Sequence, residues 1–194
     1  MDGDVKTYIT MEAYKPADKN YYNADVVLTT DVPSLTYTWD ETLQTIVCNT
    51  GDGGNFCFGT HGTYNTISCT AEYYYSGNNA ANVDQTQFIG RLYTVDASDT
   101  PDTPDTPVEP GSETLVTEPV VGTAYKFGMN QVTLGDIYFF TGAKSGKYMA
   151  TSTNSADAVD VYLEQVEGKV GEAYLYFMDG DVKTYITMEA YKPA

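Results

Sequence analysis

The sequence predicts an all-β protein, and three observations carry that reading. Tyrosine is the extreme of the composition at 18 of 194 residues, and threonine is abundant beside it. Aromatic and β-branched side chains pack better on a pleated surface than on a helix. Long Leu/Ala/Glu/Lys/Arg runs of the helical kind are absent, and short apolar runs are punctuated by Gly, Asp and Asn.

In chain order, strands are expected over 24–30, then over 35–39 and 43–48. The run 55–59 follows a Gly-rich loop and 64–70 follows His61-Gly62; 72–75 is the tyrosine run and 87–95 the stretch QFIGRLYTV. Beyond a Pro-rich segment come 124–128, 136–141, 147–153, 159–166, 173–177 and 182–191. The last two flank Asp179-Gly180, a strong hairpin signal because both residue types tolerate positive φ. Gly142-Ala-Lys-Ser-Gly146 reads as another turn.

Three stretches share paired aromatics, a Gly turn and a return strand reading Tyr-x-Thr or Tyr-x-x-Thr. They are Tyr138-Phe-Phe to Thr151, Leu175-Tyr-Phe to Thr187, and Phe56-Cys-Phe to Thr66. About a dozen strands with a weak threefold hairpin pattern suggest a β-trefoil or a closed barrel, and uneven spacing keeps a two-sheet sandwich as the alternative.

Between residues 97 and 122 the composition changes abruptly, with Asp-Thr-Pro three times over from Asp99 to Pro107 and then VEPGSE. Proline fixes φ and removes donors while like charges repel, so an extended polyproline II spacer is expected. Its later part, Thr114 to Val121, is apolar enough to lie along a domain or add as an edge strand.

Residues 1–17, MDGDVKTYITMEAYKPA, recur letter for letter as residues 178–194. No packing requirement preserves such a run, since cores tolerate apolar swaps and surfaces tolerate more. The chain therefore reads as one period of an array plus an overlap into the next. On that reading 1–96 is the C-terminal portion of one β domain, 97–122 the acidic linker, and 123–194 the N-terminal portion of the next domain. Both ends of the chain fall on one hairpin, a seam where a periodic object is cut or where subunits join. Val5, Tyr8, Ile9, Tyr174, Tyr176, Tyr185 and Ile186 are the residues expected at that junction. The two identical segments cannot both fill one strand position, so one copy is displaced or paired elsewhere.

The formal net charge is −17, with 27 acidic against 10 basic residues. No Lys/Arg cluster of the kind that tracks phosphates occurs, so nucleic acid and anionic membrane surfaces are poor partners. No apolar run is long enough to span a bilayer, and no membrane insertion is expected. The three cysteines, Cys48, Cys57 and Cys69, leave two readings open: Cys48–Cys57 or Cys57–Cys69 bridges, or small buried thiols.

Catalytic constellations are missing from the sequence. His61 sits in a turn without a nucleophile or partner acid; no phosphate loop, dinucleotide glycine pattern or metalloprotease motif occurs. The acid pairs Asp2/Asp4, Asp179/Asp181 and Asp40/Glu41 resemble fragments of calcium loops but lack the ligand spacing. So acidic a chain leaves a glycan-active enzyme as a remote alternative, since the separation of paired carboxylates is a three-dimensional fact, but nothing selects a pair. An enzyme, a cofactor and a metal are not expected. Tyr73, Tyr74, Tyr75 and Trp39 offer flat apolar faces with polar tips, suited to stacking on sugar rings as well as to packing in a core.

Repeated domains joined by acidic Thr/Pro spacers such as residues 99–110 resemble the tandem-repeat stalks, fibres and adhesins of bacterial cell surfaces. That resemblance implies an extracellular or cell-surface location and a structural or adhesive role. The expected partner is the chain itself, as a head-to-tail polymer or covalent array, with carbohydrate as the alternative ligand.

Overall fold

The computed structural model describes residues 23–49, 55–59, 64–71, 89–95, 112–131 and 133–189. Among them every regular element is a strand, apart from one 3-10 turn at Ser155–Asp157. The strands are β1 (Asn23–Thr29), β2 (Tyr37–Asp40), β3 (Thr45–Asn49), β4 (Asn55–Gly59), β5 (Ser68–Ala71) and β6 (Gly90–Val95). They continue with β7 (Glu113–Leu115), β8 (Tyr125–Gln131), β9 (Asp136–Ser145), β10 (Tyr148–Ser152), β11 (Asp160–Gln165), β12 (Glu172–Asp179) and β13 (Val182–Glu189).

All thirteen belong to one antiparallel sheet, ordered β10-β9-β8-β11-β12-β13-β1-β5-β4-β3-β2, with β6 paired to β8 and β7 to β6. The all-β expectation holds, but the closed barrel does not form. A barrel needs a continuous ladder around its whole circumference. Here β2 returns to β12 through only Glu172↔Thr38 and Ala173↔Tyr37, and β10 reaches the residue before β5 through the single bridge Ile67↔Met149.

The sheet curls enough for distant strands to share a core. Phe58 on β4 and Phe127 on β8 stand far apart in the strand order, yet their rings meet edge to face at 5.6 Å. One cluster holds Val26, Tyr37, Ile46, Phe56 and Phe58 together with Phe127, Phe140, Leu175, Phe177 and Ile186. Strands from both sides of the Pro-rich segment thus bury their apolar faces against each other, which is the dominant stabilising term in a fold of this kind. β3 and β4 are buried on both faces: Phe56 and Phe58 enter the main core, while Cys57 packs with Ile89 on the other side.

Two of the three aromatic stretches are hairpins, β9–β10 and β12–β13. β4 also pairs antiparallel with the strand that follows it, but that strand starts at Ser68, beyond the expected return at Tyr64 to Thr66, which is irregular. Two turns sit one step or more from where the sequence put them. Asp179 pairs with Val182, so the two-residue loop is Gly180-Asp181, with Gly180 at φ 58. A glycine at positive φ in the first loop position matches the twist of the flanking strands. Likewise β9 runs on through Gly142 to Ser145, and its turn is Gly146-Lys147 with Gly146 at φ 63.

The end of the acidic segment lies on the domain. β7 pairs with β6, Val116 donates its amide to the Leu92 carbonyl at 2.9 Å, and the Val120 amide donates to the Tyr125 hydroxyl at 2.8 Å. The Asp-Thr-Pro run is outside the described residues, as is the expected strand 72–75.

Candidate functional site

Alternation along β11, β12 and β13 sorts the side chains onto two faces. Val161, Leu163, Leu175, Phe177, Ile186 and Met188 point into the core. Tyr162, Glu164, Tyr174, Tyr176, Lys183 and Tyr185 occupy the opposite face. Register brings them together, because Tyr162 lies opposite Tyr176, Glu164 opposite Tyr174, and Tyr176 opposite Tyr185.

The result is a continuous aromatic surface. Tyr162 and Tyr176 stack with centroids 5.2 Å apart and planes at 20°. Tyr185 meets Tyr174 at 5.7 Å and Tyr176 at 6.2 Å, both edge to face. Such ring pairs contribute beyond the area they bury.

A charge pair crosses this surface. The Lys183 ammonium lies 4.6 Å from the Tyr176 ring centroid and 5.8 Å from that of Tyr185, within the range of cation–π attraction. It donates to Glu164 Oε1 at 3.0 Å, and the Tyr185 hydroxyl donates to Glu164 Oε2 at 3.0 Å. The hydrogen bond to Glu164 raises the Lys183 pKa above its ordinary value. Burial, then the same carboxylate, raises that of Tyr185. Both groups therefore keep their protons at neutral pH. The site offers flat rings, hydroxyl tips and one fixed ion pair, which is chemistry for stacking and hydrogen bonding; Glu164 is engaged on both oxygens.

A second polar knot ties β12 to the chain before β2. Glu172 Oε2 accepts from Thr36 Oγ1 at 2.5 Å and from Lys169 Nζ at 2.9 Å. Those hydrogen bonds, Thr36 first, lower its pKa.

Of the expected junction residues, Tyr174, Tyr176 and Tyr185 share the tyrosine face, and Ile186 is on the core side of β13. Val5, Tyr8 and Ile9 are outside the described residues; Val182, Tyr185 and Ile186 are the same positions of the second copy. Tyr73, Tyr74, Tyr75 and His61 also fall outside the described residues. Trp39 is half-buried against the core cluster, with its Nε1 buried and unpartnered among the described residues. Asp40 caps its own turn, accepting from the Thr42 and Leu43 amides at 2.9 Å each. All three cysteines are free and buried. Among the described residues no group of three or more His, Cys, Asp or Glu is placed to hold a metal ion, and no helix is long and apolar enough to cross a membrane.

Sequence reasoning missed Tyr162, Glu164 and Lys183. Their signal was parity: Tyr162 and Glu164 alternate with Val161 and Leu163, as Lys183 and Tyr185 alternate with Thr184 and Ile186.

No protein family, curated protein or solved structure matches the chain.

Proposed function

We propose that this chain is a structural subunit of an extracellular fibre or cell-surface stalk, built from tandem identical β domains joined head-to-tail by strand or domain complementation. The observation that carries the reading is the position of the duplicated segment. Its second copy supplies β13, which pairs on one side with β12 and on the other with β1 from the far end of the chain. In a tandem array the chain leaving β13 runs directly into β1 of the next period, so a repeating polymer makes the same sheet from consecutive residues. The acidic Thr/Pro segment then serves as the spacer between units. Within this reading the unit is trefoil-like, and the support is the recurrence of antiparallel pairing between successive strands at β4–β5, β9–β10 and β12–β13.

Electron microscopy and intact-mass measurement of the natively produced protein test it. Regularly spaced particles along filaments, or a mass that is a multiple of the period, are expected. Single particles of 21.3 kDa at all concentrations overturn the structural reading.

A carbohydrate-binding adhesin module is the second reading, favoured by the half-buried rings of Tyr162, Tyr174 and Tyr176 on one face of the sheet. Glycan-array binding that Tyr176→Ala abolishes is the result that would replace the first reading with this one. The reading as a glycan-active enzyme has no observation behind it.

A further inference from the structure

The fold has one position between β12 and β1, and the chain carries two segments with the same sequence for it. β13 fills that position through five residue pairs with β12 and five with β1. Its inward residues Ile186 and Met188 are 0% and 5% exposed. Residues 5–12 repeat 182–189 without a change, Ile9 matching Ile186 and Met11 matching Met188. Every ladder hydrogen bond, core contact and ring contact that β13 makes is therefore open to 5–12 on the same terms.

We propose that the cleft between β12 and β1 is a binding site for residues 5–12 of this chain, which exchange there with 182–189. Side-chain energies cancel between the two occupants because the sequences are identical, so the tether decides. β13 is held to β12 by the two-residue loop Gly180-Asp181. Residues 5–12 are joined to β1 by the ten residues 13–22. The loop-closure term scales as the three-halves power of loop length, which favours the second copy by roughly tenfold. The first copy is thus a minor occupant, held in reserve at high effective concentration. A tether this short gives effective concentrations on the order of millimolar, well above what a neighbouring chain supplies in dilute solution. In dilute solution the segment that competes with β13 is therefore the chain's own first copy, not one from a neighbouring chain. The inference holds or fails apart from the fibre reading, since it concerns occupancy within one chain.

Three full-length variants test it: Ile9→Lys, Ile186→Lys and the two combined. A lysine cannot replace a fully buried isoleucine without exposing its charge, so it expels the segment that carries it. Ile9→Lys is expected to melt like the parent. Ile186→Lys is expected to keep the parent's far-UV circular dichroism, with its unfolding constant raised roughly tenfold. The double variant is expected not to fold.

Hydrogen exchange read by mass spectrometry supplies the second readout, because each single substitution gives the two copies different peptide masses. In Ile186→Lys, protection is expected to move to the peptide carrying Ile9 and to leave the substituted one. Three outcomes overturn the proposal: Ile186→Lys as unfolded as the double variant, protection that stays on the substituted segment, or protection of 5–12 that appears only as concentration and particle mass rise.

Discussion

The Tyr185 hydroxyl and the Lys183 ammonium hold the two oxygens of a single carboxylate, Glu164, at 3.0 Å each. Two strands are joined across a third through that carboxylate, since Glu164 lies on β11 and its donors lie on β13, with β12 between them. Glu164→Ala leaves a hydroxyl and an ammonium without their acceptor, and the expected loss is about 1–2 kcal/mol. Glu164→Gln keeps an oxygen for Tyr185 and loses the ion pair, so it should cost less. Urea denaturation ranks the variants, and titration of tyrosinate absorbance checks the cause: without Glu164, the Tyr185 ionisation moves back toward the ordinary tyrosine value. Equal stability of parent and both variants would remove the carboxylate from the account.

Alkaline pH attacks the core. Burial pushes the Cys48 thiol from an ordinary 9.0 up to about 12, and it raises Cys57, Cys69 and the Tyr37 hydroxyl in the same direction. A raised folded-state pKa means the folded protein holds its protons more tightly than the unfolded chain does. The associated stability is therefore complete below the unfolded value and declines as pH rises above it. Unfolding free energy should stay level to about pH 9 and then fall by up to about 1.4 kcal/mol per pH unit for each group engaged. Cys48→Ala should flatten the slope, because one of those groups no longer titrates. A urea midpoint that is constant well into the alkaline range would show that the thiols are not held in the core.

Thr45 is fully buried and donates its hydroxyl to the Gly90 carbonyl at 2.5 Å, joining β3 to β6. Thr45→Val preserves the shape of the side chain and removes the donor to that carbonyl, at a cost of about 0.5–1.5 kcal/mol. Thr45→Ser restores the donor and should recover most of the loss, with the remainder reflecting the missing methyl. Thermal melts of the pair separate polarity from packing.

Strand positions were legible because their cause is local. The alternation of Val161, Leu163, Leu175 and Phe177 with tyrosines and acids fixes both the strand and its inward face. Turn placement was less legible: a Gly142 inside β9 looks the same in sequence as a Gly146 in a hairpin loop, and only the pairing of Ser145 with Tyr148 separates them. The closed barrel was an inference from strand number, whereas closure depends on the length of the last ladder, here two pairs between β2 and β12. The tyrosine face needed register. Tyr162 and Tyr185 are neighbours of Tyr176 from opposite sides, a relation that no spacing along the chain records. Of the sugar-stacking candidates only Trp39 lies among the described residues, and it packs half-buried against the core cluster.

Gly142 gives the sharpest backbone test. It has φ +84 within β9, and a Cβ placed there would lie 2.7 Å from Val159 Cγ1 and 3.4 Å from Phe177 Cε2. Gly146 has a similar φ of +63 with nothing within 4 Å. Alanine at either position meets the left-handed strain, about 1–2 kcal/mol. Only at Gly142 does it also press on a β-branched side chain with little rotamer freedom, adding about 1–3 kcal/mol for the shift this forces. Gly142→Ala should therefore destabilise by clearly more than Gly146→Ala in urea unfolding. Adding Val159→Ala should reduce the penalty of Gly142→Ala, because the contact at 2.7 Å disappears with the Cγ1 methyl. Additive losses in that double variant would mean that backbone conformation alone demands the glycine, and that β9 does not need its close approach to Val159.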